Sequence, residues 1–273
     1  MDHSGRHTGL QENIMKDNHL IRLFTDRMYY PRLKLLENYG NPVLIWNMGK
    51  VASTSIARSL WRQIGRYNVL TTHFMNQAEH SRSRLLYEVL IKGSCKPLPI
   101  IALTREPIGK NISSFFQNFE RNVGAPFEHY ENRVSELCEF FIHRFDKHDT
   151  IINWFDQNIK EYIGLDVYDH QFDPSKGYCI IEHGRFKVLV LRSEESDKIK
   201  EAAVKELLGL TEFRLENENV GADKPYSDLY REFQAALNLP DSYLDSMLNC
   251  RYTRHFYSAS EIEQINSKWR KLR

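Results

Sequence analysis

Apolar positions along the chain switch between two spacings. From about Leu10 to Asn38 they recur with a helical period (Ile14, Leu20, Ile21, Leu23, Phe24), until Asn41-Pro42 breaks the pattern and PVLIWN follows as an unbroken apolar run. A short run of that kind suits a parallel strand buried on both faces. Helical spacing returns in SIARSLWRQIG, with Ile56, Leu60, Trp61 and Ile64 on one face and Gly65 as the stop. The alternation then repeats: YNVLTTH reads as a second strand, AEHSRSRLLYEVLIKG as a helix, PIIALTRE as a third strand and IGKNISSFFQNFER as its helix. Strands alternating with helices predict an α/β fold of three layers, a central and mostly parallel sheet flanked by helices, with extra helices at both ends.

Residues 131 to 165 read as mostly helical, with Phe140, Phe141, Phe145, Ile152, Trp154 and Phe155 as apolar bulk. GYCIIEHGRFKVLVLRSEE reads as a hairpin turning at His183-Gly184, whose second strand is expected to join the main sheet. The C-terminal part is helical and ends in SASEIEQINSKWRKL, where Ser260 and Glu263 match a capping box. With no internal repeat or linker, the expected division is an N-terminal helical extension over 1–40 and a single domain over 41–273.

At 273 residues and 41% hydrophobic, the chain has enough apolar mass for a real core. Its 37 Lys and Arg against 36 Asp and Glu leave a net charge of +1, which provides no long-range field for nucleic acid, so any anion site is local. Cys95, Cys138, Cys179 and Cys250 lie apart from one another and from histidines at ligand spacing, so neither a zinc site nor a disulfide framework is expected. The polar N-terminus and the absence of a run of about 20 apolar residues predict a soluble, cytoplasmic protein without a membrane span.

Between the first strand and its helix stands NMGKVASTS, Asn47 to Ser55. A Walker A loop reads G-x-x-x-x-G-K-[ST], and the hydroxyl directly after its lysine holds magnesium. Here Leu44 occupies the first glycine position and Val51 follows Lys50, which argues against an ATPase or kinase. What remains is Gly49 for close backbone approach, Lys50, and the hydroxyls of Ser53, Thr54 and Ser55 opening a helix whose amides favour an anion. Such a loop holds a phosphate without supplying a metal ligand, although hydroxyls that merely cap a helix fit the same residues. In the second segment, LTREPIGKNISS, Arg105 ends the third strand on the edge where α/β sheets bind ligands, and Ser113 lies two turns along the next helix. An arginine fork and a hydroxyl can share one phosphate there. A surface arginine before a proline-started helix is the plainer account of that segment.

Together the two segments resemble the PAPS-dependent sulfotransferase family, whose donor is 3′-phosphoadenosine 5′-phosphosulfate (PAPS). GKVASTS is similar to the loop that holds the 5′-phosphosulfate in that family, and Arg105 with Ser113 keeps the spacing of the pair that holds the 3′-phosphate. The likeness runs from about Pro42 nearly to the C-terminus. The segments WFDQNI, GLDVYDHQFD, LVLRSEE, ENVGADKPYSDLYREF and RHFYSASEIEQINSKW look like bacterial carbohydrate sulfotransferases, particularly a group associated with capsular polysaccharide synthesis. The resemblance implies a P-loop-like fold, PAPS as donor with PAP as product, no required metal, and a carbohydrate hydroxyl as acceptor.

Within that resemblance Gly49, Lys50, Val51, Ala52, Ser53, Thr54 and Ser55 are expected around the 5′-phosphate, with Lys50 easing departure of the leaving group. His73, at the end of the second strand in VLTTHFMN, is the expected base; TTHFM resembles the segment that carries a catalytic histidine in several sulfotransferases, though a histidine capping a strand end fits the position too. Glu194 and Glu195 compete for the role, and His148 is a further candidate for substrate contact. Arg192 supports the nucleotide pocket or pairs with a neighbouring glutamate. Lys224 and Tyr226, with Asn219 and Gly221, are expected in a segment covering the nucleotide. For the acceptor, Phe127, Tyr130 and Trp154 are candidates for stacking on a sugar, core filling being the better account of Trp154. The rival readings are a P-loop nucleotide kinase or NTPase and a non-catalytic nucleotide-binding protein of polysaccharide assembly.

Overall fold

The structure, a computed structural model, describes residues 28–75, 81–216 and 226–270. The chain divides into two compact units, Met1–Pro42 with Met75–Lys96, and Val43–Phe74 with Pro97–Arg273. In the first, a helix over 28–39 and the helical segment Ser81–Leu86, which continues as a π-helix over Tyr87–Lys92, bury Leu33, Leu36, Val89, Leu90 and Ile91. The sequence boundary after residue 40 leaves 75–96 in the larger domain, whereas the packing assigns that stretch to the smaller unit.

The second unit is built on a five-stranded sheet. Its strands are β1 (Val43–Trp46), β2 (Val69–Thr72), β3 (Leu98–Thr104), β4 (Tyr178–His183) and β5 (Phe186–Arg192), in the order β2-β1-β3-β5-β4. All four residues of β1 are buried, as a central strand covered on both faces requires, whereas β2 and β4 carry exposed positions and lie at the edges. β1 pairs in parallel with β2 and β3, and β3 with β5; the hairpin partner β4 is antiparallel. This is the expected α/β arrangement, including entry of the hairpin's second strand into the sheet.

The helices follow from local signals. Helix α1 (Ser53–Ile64) buries Ile56, Ala57, Ser59 and Leu60 and ends at Gly65, whose φ of 84° suits a residue without Cβ. α2 (Pro107–Gln117) begins on a proline, with Glu106 as its N-cap accepting from the amides of Ile108 (3.0 Å) and Gly109 (2.9 Å). α3 (Val134–Arg144), α6 (Ser227–Ala236), α7 (Asp241–Leu248) and α9 (Ala259–Trp269) pack with α2 around an aromatic cluster. Phe115 sits at its centre, with ring centroids 5.3 Å from Phe141, 5.4 Å from Phe145 and 5.9 Å from Phe233. Between these lie α4 (Thr150–Phe155), α5 (Asp197–Leu208) and α8 (Arg251–Phe256).

One expectation is corrected at α9. The capping box is formed by Ser258 and Glu261, not by Ser260 and Glu263. The S-x-x-E spacing occurs in both frames, and a tertiary partner selects the first: Arg192 Nη1 donates to Glu261 Oε1 at 2.7 Å.

Helix α8 reaches back to the sheet through Tyr252. Its hydroxyl accepts from Arg105 N at 3.0 Å and donates to Arg105 O at 2.9 Å, and burial raises the phenol pKa well above its usual value, so the donor proton stays in place. Tyr252→Phe removes both bonds with almost no change of shape. The variant is expected to lose about 1–3 kcal/mol of unfolding free energy, and an unchanged urea midpoint would show that the clamp adds no stability.

Candidate active site

Because β1, β2 and β3 run parallel, the loops that follow them share one edge. Trp46 is in register with Thr72, and Asn47 N continues the pairing by donating to Thr72 O at 3.2 Å. The chain after β1 then turns sharply. Asn47 Oδ1 accepts from Gly49 N at 2.9 Å, and Gly49, Lys50 and Ala52 all have positive φ, at 73°, 59° and 54°. For the two residues that carry a Cβ this conformation costs roughly 1–2 kcal/mol each. The strain points the Val51 side chain into the core, where it is fully buried, and leaves Ala52 exposed. Val51 therefore offers a ligand only its main chain.

α1 starts directly from this turn with no capping side chain and no acidic residue in its first turn. Ser53, Thr54 and Ser55 lie inside the first turn rather than at the cap, and Ser55 Oγ donates back to Ala52 O at 3.1 Å. The positive end of the helix is thus left open to an anion. The neighbouring helix α2 is the opposite case, since the Glu106 carboxylate already fills its N-terminus.

His73 follows β2. Its Nδ1 lies 3.1 Å from Asn47 O, and because a carbonyl only accepts, Nδ1 carries the proton and Nε2 keeps its lone pair. Trp154 Nε1 holds the His73 carbonyl at 2.8 Å. The ring passes over Gly49: a Cβ added there would stand 3.7 Å from His73 Nε2, so glycine leaves the approach open. Burial, helped by the positive charge of Lys110, lowers the imidazole pKa below its ordinary 6.5 against the opposing Asn47 bond. The side chain nevertheless keeps solvent access. Its neutral state and free Nε2 suit it to accept a proton near neutrality.

Arg105 ties the third loop to the first, with Nη1 donating to Lys50 O at 2.9 Å. Lys50, His73 and Arg105 therefore converge on the loop around Gly49. Ser113 lies half-buried along α2 and makes no hydrogen bond to Arg105 among the described residues. Tyr226 packs at the start of α6, its ring 5.7 Å from Phe116, and Lys224, Asn219 and Gly221 lie outside the described residues.

The other candidates are engaged in holding the fold. Glu194 Oε1 accepts from Glu106 N at 2.6 Å and from Tyr257 OH at 3.1 Å. Glu195 takes Arg192 Nε at 2.7 Å, and the same guanidinium holds Glu261, so Arg192 pairs with glutamates rather than lining the site. His148 has both ring nitrogens occupied, Nε2 donating to Phe141 O at 2.8 Å and Nδ1 accepting from Tyr243 OH at 3.0 Å. Trp154 is fully buried, and Phe127 and Tyr130 pack against the aromatic cluster.

Sequence reasoning overlooked Lys110. It stands one turn into α2 with 3% of its surface exposed, and burial, with Arg105 and Lys147 adding repulsion, lowers its pKa to about 8. Nothing along the sequence signals it: every residue from Pro107 to Ile112 is buried, and it is this all-round packing that carries the lysine into the interior.

Residues 127–258 match the family described as "Putative capsular polysaccharide synthesis protein". The matched range contains β4, β5, Trp154, Glu194 and Tyr252, and it excludes the Gly49 loop, His73 and Arg105. No curated protein and no solved structure was found to match the chain. Among the described residues no helix is long and apolar enough to cross a membrane, and no group of His, Cys, Asp or Glu is placed to hold a metal ion.

The geometry makes His73 a neutral, Nδ1-protonated imidazole at pH 7. Its folded pKa lies below the unfolded value, so its contribution to stability is present above pH 6.5 and is lost as pH falls through the folded pKa. Nitrogen-detected NMR is expected to show a midpoint below 6.5 with Nε2 as the unprotonated site. A normal midpoint or the opposite tautomer would remove the Asn47 anchor from this description.

Proposed function

We propose that the protein transfers a sulfuryl group from PAPS to a hydroxyl of a carbohydrate acceptor. The observation that carries the reading is His73 poised over Gly49 with Nε2 free, beside a loop whose helix N-terminus is open. The match of residues 127–258 to a capsular polysaccharide synthesis family supports a carbohydrate acceptor.

The residues present fit such a donor. The amides from Gly49 to Thr54 and the hydroxyls of Ser53, Thr54 and Ser55 suit the 5′-phosphate, because no side chain competes for that helix end. Arg105 spends one nitrogen on Lys50 O and keeps the rest of its fork for the 3′-phosphate, with Ser113 on the helix that follows. Tyr226, and Lys224 beyond the described residues, remain the proposed nucleotide-covering pair. PAPS, when bound, supplies an activated sulfuryl group. Lys50 is the proposed contact at the leaving phosphate, where an ammonium gains interaction as charge develops. His73 Nε2 takes the acceptor's hydroxyl proton, and Asn47 O steadies the imidazolium through Nδ1–H. A magnesium-dependent kinase reading is disfavoured by Val51, whose buried side chain stands where such a loop carries its metal-binding hydroxyl.

Calorimetry with PAP tests the first step, and the expected result is binding well above that of 5′-AMP; no PAP binding would sink the proposal. His73→Ala is expected to retain PAP binding while turnover falls by about 10²–10⁴. Lys50→Ala is expected to lower turnover by about 10²–10³ with the fold intact. Full activity in either variant would take that residue out of the mechanism.

A further inference from the structure

A buried ammonium normally has a carboxylate or several acceptors beside it, because removing an unpaired charge from water costs several kcal/mol. Lys110 has neither. Among the described residues its side chain makes no hydrogen bond or ion pair, although only 3% of the residue is exposed. The charges that act on it are Arg105, between β3 and its own helix, and Lys147, from the segment before α4, and both are positive. Its own charge in turn bears on His73, after β2, and on His148, after α3. Natural chains keep such a residue where a ligand completes it, at a cost in the free protein's stability.

We infer that Lys110 binds a tetrahedral oxyanion, a sulfate or phosphate group, at the reacting end of the site beside His73. The inference rests on the sulfotransferase reading only for the identity of that group, which there is the sulfuryl moiety being transferred. Lys110 then serves a purpose that neither Lys50 nor Arg105 meets, since it approaches from the α2 side, where Glu106 occupies the helix end and leaves no amide free for an anion. It also couples binding to basicity. In the free protein its charge helps to hold His73 neutral, and an oxyanion that neutralises Lys110 relieves that repulsion and strengthens His73 as a base.

The test uses the full chain with inorganic sulfate as probe, following the His73 ring by NMR. In the wild type, saturating sulfate is expected to raise the His73 midpoint, and sulfate affinity is expected to fall as pH rises through about 8, where the lysine loses its proton. Lys110→Met should weaken sulfate binding about tenfold or more, equivalent to about 1.4 kcal/mol, and abolish the His73 response. Because that substitution removes an unpaired buried charge, its melting temperature should rise rather than fall. Lys110→Arg should bind sulfate without the loss above pH 8.

Sulfate binding and a His73 response that survive in Lys110→Met would overturn the inference. So would a lowered melting temperature in both variants, which would mark Lys110 as a structural residue. Acetate binding at Lys110 more tightly than sulfate would replace the tetrahedral oxyanion by a carboxylate and overturn the assignment equally. The two proposals fail separately: PAP binding without Lys110 dependence leaves the transfer reading standing, and Lys110-dependent sulfate binding without any PAP binding does the reverse.

Discussion

The parallel pairing of β1 with both β2 and β3 is the constraint on which the site depends. Three loops that are far apart in sequence leave the sheet at one edge because their strands point the same way. That pairing brings the carbonyl of Asn47 under the ring of His73 and the carbonyl of Lys50 within reach of Arg105. In both bonds a side chain from a neighbouring loop donates to the main chain of the β1 loop. The left-handed turn over Gly49, Lys50 and Ala52 is thereby held from two sides, which offsets the backbone strain it stores.

Charge is sorted across this edge. The carboxylates of Glu106, Glu194, Glu195 and Glu261 are consumed by amides, hydroxyls and the Arg192 guanidinium, and they bind α2, α8 and α9 to the end of the sheet. The cations Arg105 and Lys110 are left near His73, where no carboxylate acts on Lys110. A chain of net charge +1 can in this way place two cations near one histidine. The price is paid in stability, since like charges and a desolvated lysine oppose folding. The contrast between the open N-terminus of α1 and the carboxylate-filled N-terminus of α2 shows the same sorting at the level of helix ends.

The range matching the capsular polysaccharide synthesis family carries the support for this edge rather than the Gly49 loop, His73 and Arg105 themselves. Tyr252 clamps Arg105 through its backbone, Trp154 holds the carbonyl of His73, and Glu194 anchors the turn into α2. Each of these side chains acts on a residue outside the match. The scaffold and the site are thus coupled by main-chain hydrogen bonds, whose geometry tolerates less drift than a contact between long side chains.

What the sequence by itself determined was local in origin. The unbroken run VLIW, the Gly65 stop and the Pro107 start each encode a backbone preference, and alternation of strand and helix implied a parallel sheet with His73 and Arg105 at strand ends. Only the tertiary structure decided how equivalent local signals were used. Two S-x-x-E frames at α9 were degenerate until Arg192 selected Glu261. Glu194 and Glu195 read as candidate bases until their partners, up to 88 residues away, took their lone pairs. Lys110 was silent for the same reason: desolvation depends on everything packed around a group, and no spacing along one helix reports it.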